Sequence, residues 1–489
     1  MNERYEREAE AFFAELEEEY YRNGAGLKEA LELAPIYERY ADLFARARVG
    51  ELLGKRGTRA GRYLAQFAAF AYLDTSVRGL TEEITTAETR ATIEWDGEPV
   101  PYRLGSALRS REPDRGRRQE LDRLLLAVTE EHNPLRGERM EMLHAEAMGL
   151  GFGDYLGLCE ELLGLDVEHL GGQMGDLLGR TEGLWAEELG AALEGAGIPA
   201  GEADISDLRY VLGGPQFDSL FPKEMLLPLL ERTLAGLGIA LEEQANLHLD
   251  TEERPLKSPR AFCCPVRVPE DVRLVIMPRG GREDYNSLFH EAGHAEHFAH
   301  TDGAARFAFR CLGDYAVTEG YAFLFNMLLR SPGWLREVGG IGAGREYLRF
   351  ARFYQLYYLR RYAAKLAYER ELHEAEAPVE GFAARYSELL EKALGVEVPA
   401  VDYLSDVDDA LYCTCYLRAW MLEVHLRGRI VDEFGDCWFS KRQAGEFLKG
   451  LWRLGQELTA EELARRLGRR GLEGEPLVAD LMAPVRDQS

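Results

Sequence analysis

The chain has 489 residues, 46% hydrophobic and 29% charged, the profile of a soluble globular protein with room for two or three domains. Its net charge of −27 argues against nucleic-acid partners and anionic membrane surfaces, both of which would repel it. No apolar run approaches the ~18 residues of a membrane span, and the charged, helical start does not resemble a secretory leader. Seven cysteines (Cys159, Cys263, Cys264, Cys311, Cys413, Cys415 and Cys437) are odd in number and lack a disulfide or zinc-site spacing, so a reducing cytoplasmic setting is expected.

In chain order, 3–22 and 27–48 read as amphipathic helices separated at Asn23-Gly24, and 58–75 as a more apolar third. Residues 92–102 predict a hairpin turning at Asp96-Gly97, with prolines that confine it to an edge or excursion. Helical patterns resume over 115–194. The Gly-rich stretch 195–204 is the best linker, dividing an N-terminal lobe (1–200) from a C-terminal domain (201–489). His132, His144 and His169 have no ligand spacing and are expected to be structural or exposed, and His248, His373 and His425 to be structural. Helices return over 205–240, shaped by Pro215 and Pro222. Residues 261–268 and 272–277 then read as short β-branched strands, and Asp284 as the N-cap of the next helix. Helices are predicted over 314–331, 345–374, 380–395, 408–434 and 440–469. The fold class is therefore mainly α, with a small sheet ahead of one helix.

That helix carries His290-Glu291-Ala292-Gly293-His294. Residues four apart on a helix lie on one face, about 6 Å apart along the axis, so both imidazoles can grip one Zn²⁺. Glu291 lies beside them, placed to reach a water rather than the ion. A strand next to such a site could hold an extended peptide by main-chain hydrogen bonds, a role expected of 272–277.

A catalytic zinc needs a third protein ligand and one open position. His300 has metzincin-like spacing, but His297 stands where that pattern has the turning Gly, and an unbroken helix points His300 away. Asp314 follows Gly313 and fits better as an N-cap or supporting residue. Glu319 lies inside a predicted helix, 25 residues after His294, and is the preferred ligand. His297, seven residues after His290, is expected to support or pack rather than coordinate.

These residues resemble the thimet oligopeptidase and oligoendopeptidase F family of zinc metallopeptidases. The resemblance rests on His290-Glu-Ala-Gly-His-Ala-Glu-His297, on Glu319, and on Asp250-Thr-Glu-Glu-Arg-Pro-Leu-Lys-Ser-Pro-Arg-Ala-Phe-Cys263 upstream. It rests also on the Tyr-rich segment 403–416. Arg260 departs from the family's Gly, Gly320-Tyr-Ala322 from its usual Pro-Ser-Gln, and Tyr403 from its His; the chain is also shorter than typical members.

The resemblance implies a two-lobed helical body with one Zn²⁺ deep in a channel that admits short unstructured peptides. His290, His294 and Glu319 would be ligands, Glu291 the general base and acid, and Tyr416 and Tyr412 the oxyanion donors. Cytoplasmic peptide turnover would follow. Two alternatives stand beside it: a carboxypeptidase resembling the Taq carboxypeptidase family, and an inactive helical binding protein.

Overall fold

The computed structural model describes residues 2–342, 344–374 and 378–485. Among the helices are α1 (Asn2–Gly24), α2 (Arg59–Arg90), α3 (Tyr102–Arg109), α4 (Arg115–Gly149), α5 (Ile205–Gly213), α6 (Arg282–Ala299), α7 (Tyr315–Asn326), α8 (Arg345–Glu374), α9 (Cys413–Phe434) and α10 (Arg442–Trp452). Among the described residues five short strands accompany them: β1 (Thr92–Trp95), β2 (Glu98–Pro101), β3 (Leu247–Asp250), β4 (Phe262–Arg267) and β5 (Asp271–Val275). The mainly helical class expected from the sequence is the one observed. No helix among the described residues is long and apolar enough to cross a membrane.

Two compact units are each assembled from separated stretches. The first takes 1–69, 215–351 and 414–489; the second takes 70–214 and 352–413. The units therefore do not divide near residue 200. The expected linker 195–204 lies within the second unit, where Asp204 caps α5 in a capping box with Asp207. A Gly-rich stretch can end one helix and begin the next as readily as it can separate neighbouring domains.

Several boundaries differ from expectation for identifiable reasons. The helix expected over 27–48 is replaced by the short helices Ala34–Arg39 and Arg46–Leu53, because Pro35 stands in a first turn and cannot continue a helix from upstream. The helix expected over 58–75 runs on to Arg90, since its polar second half contains only Gly79 as a weak breaker. The span 440–469 splits into α10 and Ala460–Arg466, interrupted at Gly455 (φ +56°) and restarted by a Thr459/Glu462 capping box. The helix expected from 408 begins at Cys413, after a turn in which Ala410 and Leu411 hold φ +54° and +52°.

In the first unit the sheet order is β3-β5-β4, with β3 parallel and β4 antiparallel to β5. β3 escaped the sequence reading because four residues carry too little alternation. β5 is the central strand, buried on both faces except at Arg273, so 272–277 offers no free edge. The expected substrate-holding role cannot fall to it; the edge strand beside the metal-site helix is β4.

The segment 250–258 is knitted by one buried cation. Lys257 Nζ donates to the Asp250 carbonyl, the Asp250 carboxylate and the Glu252 carbonyl, each at 2.9 Å, and Arg254 adds a second contact to Asp250 at 2.8 Å. This explains the Asp250, Arg254 and Lys257 positions of the upstream motif as scaffolding for the turn into β4. Lys257→Met leaves two carbonyls and part of a carboxylate without their donor. It is expected to cost about 2–3 kcal/mol, read as a lower urea midpoint of the first unit.

The second unit holds the hairpin where expected. β1 and β2 pair antiparallel about Asp96 (φ +54°) and Gly97 (φ +81°), the left-handed pair of a tight hairpin turn. His144, expected to be structural or exposed, and His373, expected to be structural, hydrogen-bond to each other at 3.0 Å beside Tyr155.

Candidate metal centre

α6 begins at Arg282 after Gly281, whose φ of +89° turns the chain out of the sheet. Asp284 is not the N-cap: it lies in the first turn, and its carboxylate accepts the backbone N–H groups of Arg279 and Gly280, closing the loop ahead of the helix. α6 crosses α7 at very short range. A Cβ on Gly293 would lie 2.6 Å from Ala322 Cα and 2.7 Å from the Tyr321 carbonyl, so the Gly of the His290–His294 motif is required by the neighbouring backbone. On the far side, a Cβ on Gly320 would meet Leu422 of α9 at 2.8 Å.

That approach delivers Glu319 to the histidines. His290 Nε2 is 3.3 Å and His294 Nε2 3.7 Å from Glu319 Oε2, and donor atoms of the three residues all lie within 4.8 Å of one another. Two imidazole nitrogens and a carboxylate oxygen are a donor set that zinc accepts while keeping one position open. Thr318 Oγ1 lies 2.8 Å from His294 Nδ1, which leaves Nε2 to face Glu319. The ring of Phe323 packs on His290 at 5.2 Å between centroids.

The residues disfavoured as third ligands do lie elsewhere. His300 points to Glu296 (3.3 Å) and Trp452. Asp314 is the N-cap of α7: it accepts from Ala316 N, binds Arg418 through both oxygens at 2.9 and 2.5 Å, and receives Ala460 N at 2.8 Å. His297 is fully buried between Phe298 and Tyr321, and burial pushes it down to about 3, so its ring is neutral packing.

Electrostatics give the cluster distinct proton affinities. Burial pushes Glu291 up to about 7; Glu319 adds to this, while His290 and the Cys263 N–H draw it back. That N–H, from edge strand β4, donates to Glu291 Oε2 at 3.0 Å. Burial pushes His294 down to about 4. His290 is also pulled down by burial, but the hydrogen bond and charge of Glu319 outweigh it and hold the imidazole above its usual range.

Tyr416 lies on α9, partly buried, its ring 6.1 Å from both Phe323 and Trp420, one ring removed from His290. Tyr412 is partly buried just ahead of α9 and falls in the second unit. Sequence reasoning missed Thr318, Phe323, the need for Gly293 and the Cys263 N–H. None has a periodic signal, because each depends on how one helix or strand is seated against another.

No family model matches the sequence, and no curated protein matches it by sequence. Solved structures do match by fold. PZ peptidase A with an inhibitor superposes at TM-score 0.64 and 16% identity, over 96% of this chain and 87% of that one. Oligoendopeptidase F from Bacillus anthracis str. Ames gives 0.63 and 15%, over 95% and 83%. A further oligoendopeptidase F gives 0.61 and 16%, over 95% and 84%. The chain thus has the helical fold of the oligoendopeptidase F and PZ peptidase structures, the fold that its metal-helix residues resemble in sequence.

Three outcomes are expected. Gly293→Ala wedges α6 from α7, costing about 1–3 kcal/mol in thermal unfolding and weakening zinc binding in a chelator competition. Thr318→Val keeps the fold but loosens zinc by about 10- to 100-fold. In the metal-free protein the His290–Glu319 pair is stabilising at low pH and loses that contribution as pH rises through the raised His290 value. Protons therefore compete with the metal below it, and zinc affinity should rise from pH 5 to pH 8.

Proposed function

We propose that the protein is a zinc-dependent peptidase of the oligoendopeptidase F type, cleaving internal bonds of short unstructured peptides. The observation that carries this reading is the convergence of His290, His294 and Glu319 donor atoms within 4.8 Å, with the Glu291 carboxylate beside them. The names of the peptidases that share the fold support the same class of substrate.

His290, His294 and Glu319 would hold the ion. Zinc bound there lowers the pKa of water and polarises a peptide carbonyl. Glu291 then has the task of moving one proton. Its Oε2 is held by the Cys263 N–H, which leaves Oε1 to take a proton from the attacking water and pass it to the departing amine nitrogen. A carboxylate whose surroundings raise its proton affinity suits both halves of that transfer. β4 runs beside Glu291 as an edge strand, and an extended peptide laid along it would present a scissile bond to the cluster. Tyr416 is the proposed donor to the oxyanion. Seven free thiols fit a cytoplasmic setting.

Glu291→Gln should retain stoichiometric zinc and lose about 10²- to 10⁴-fold in peptide cleavage, while Glu319→Ala should lose the zinc itself. Mass spectrometry of the products decides the mode of attack. Cleavage at internal bonds supports the proposal; stepwise loss from the C-terminus would replace it with a carboxypeptidase. Full zinc occupancy in Glu319→Ala would overturn the ligand set.

A further inference from the structure

The second unit, which contributes none of the three metal-site residues, contains a cavity of about 260 Å³. The polar face of α3 (Arg103, Ser106 and Arg109) forms one wall. Thr129 of α4, Arg209 of α5 and Asp402 add polar groups, and Leu125 and Leu126 of α4 make the rest of the lining partly apolar. The β1–β2 hairpin feeds directly into α3, with Tyr102 N donating to Ala91 O at 2.9 Å. Gly105 lets α3 lie against Leu125 of α4, where any Cβ would collide. The hairpin thus fixes a short helix whose arginines face the cavity.

The arginines are under-committed. Arg109 donates through Nη1 to Asp122, yet its buried Nε has no partner. Arg209 makes no hydrogen bond among the described residues; its nearest carboxylates, Asp122 and Asp402, stand at 3.9 and 4.0 Å. Arg103 is exposed and has no ion pair among the described residues. Three guanidinium groups thus face two carboxylates, an excess of positive charge on a chain of net charge −27. The Arg109 guanidinium is depressed, first by burial and then by the repulsion of Arg209, while Arg209, itself opposed by burial, is held above its usual range by Tyr357, Asp402 and Asp122. An anion between them would relieve that repulsion, and guanidinium forks favour oxyanions.

Asp402 narrows the choice. A carboxylate on the wall repels a fully ionised anion but accepts a hydrogen bond from one that still carries a proton. Sulfate and carboxylate ions have no such proton at neutral pH; hydrogen phosphate does. Burial holds Asp402 above the usual carboxylate range, which suits it to share a proton.

We propose that this cavity binds a hydrogen phosphate, free or as the singly protonated head of a small monoester. Arg209 and Arg103 donate to its oxygens, and its P–OH donates a hydrogen bond to Asp402. The site is independent of the peptidase reading and stands whether or not that reading holds.

The test is calorimetric titration and thermal unfolding of the full, zinc-loaded chain at pH 6, where free phosphate and a large share of a monoester still carry a P–OH proton while sulfate does not. Sodium phosphate, sodium sulfate and sodium chloride are compared at matched ionic strength, with glycerol 3-phosphate as a second arm. Saturable binding of phosphate or of glycerol 3-phosphate, at least about tenfold tighter than sulfate, is expected, and the tighter of the two identifies the source. Arg209→Met should weaken it by about tenfold or more, and Asp402→Asn should narrow the gap between phosphate and sulfate. If Arg209→Met loses its native circular dichroism, the exposed Arg103→Ala carries the same test with a smaller expected loss. Equal effects of all three salts, or native-like arginine variants that bind as tightly as wild type, would overturn the proposal.

Discussion

The approach of α6 to α7 at Gly293 is the constraint on which the candidate metal centre depends. Neither helix carries a complete donor set: α6 supplies His290 and His294, and α7 supplies Glu319. With any side chain at 293 the helices would have to separate, because Ala322 Cα and the Tyr321 carbonyl already occupy the space. A shift of an ångström or two at that crossing would carry Glu319 Oε2 out of its 3.3 and 3.7 Å positions. Packing and chemistry are therefore one problem here, solved by a residue without a side chain.

Other interactions secure the second helix of the crossing. Asp314 caps α7 and is locked by Arg418 of α9, and Gly320 allows α9 to close on the opposite face of α7. A buried carboxylate–guanidinium pair adds little net stability, but breaking it leaves an unpaired charge, so it holds the start of α7 to one position. On α6, Glu296 receives Gln244 at 2.9 Å and faces His300, which fixes the end of the helix away from the cluster. From the sheet, β4 reaches over to Glu291 through one backbone N–H. The general base of the proposed reaction is held by main chain, and its orientation does not depend on a second mobile side chain.

Much of this was legible in the sequence because it is local. The helical period, the Asp96-Gly97 turn and the four-residue spacing of His290 and His294 each lie within one turn or one element. The direction in which an unbroken helix aims His300 is also local, and His300 does face Glu296 rather than the cluster. What the sequence left open was contact between distant stretches. The role of Gly293 needs Tyr321 and Ala322, that of Thr318 needs His294, and the edge position of β4 needs β3, which is too short to read. The discontinuous make-up of the two units is of the same kind: nothing local at 195–204 reveals that the chain stays in one unit and crosses elsewhere.

The most direct test of the central claim is X-ray absorption at the zinc edge of the zinc-loaded protein. The account predicts only light-atom neighbours, two of them with imidazole scattering at about 2.0–2.1 Å and the remainder oxygen, with one imidazole lost in His294→Ala. A sulfur neighbour at about 2.3 Å, which Cys263 would supply, or a third imidazole, which His300 would supply, would contradict it.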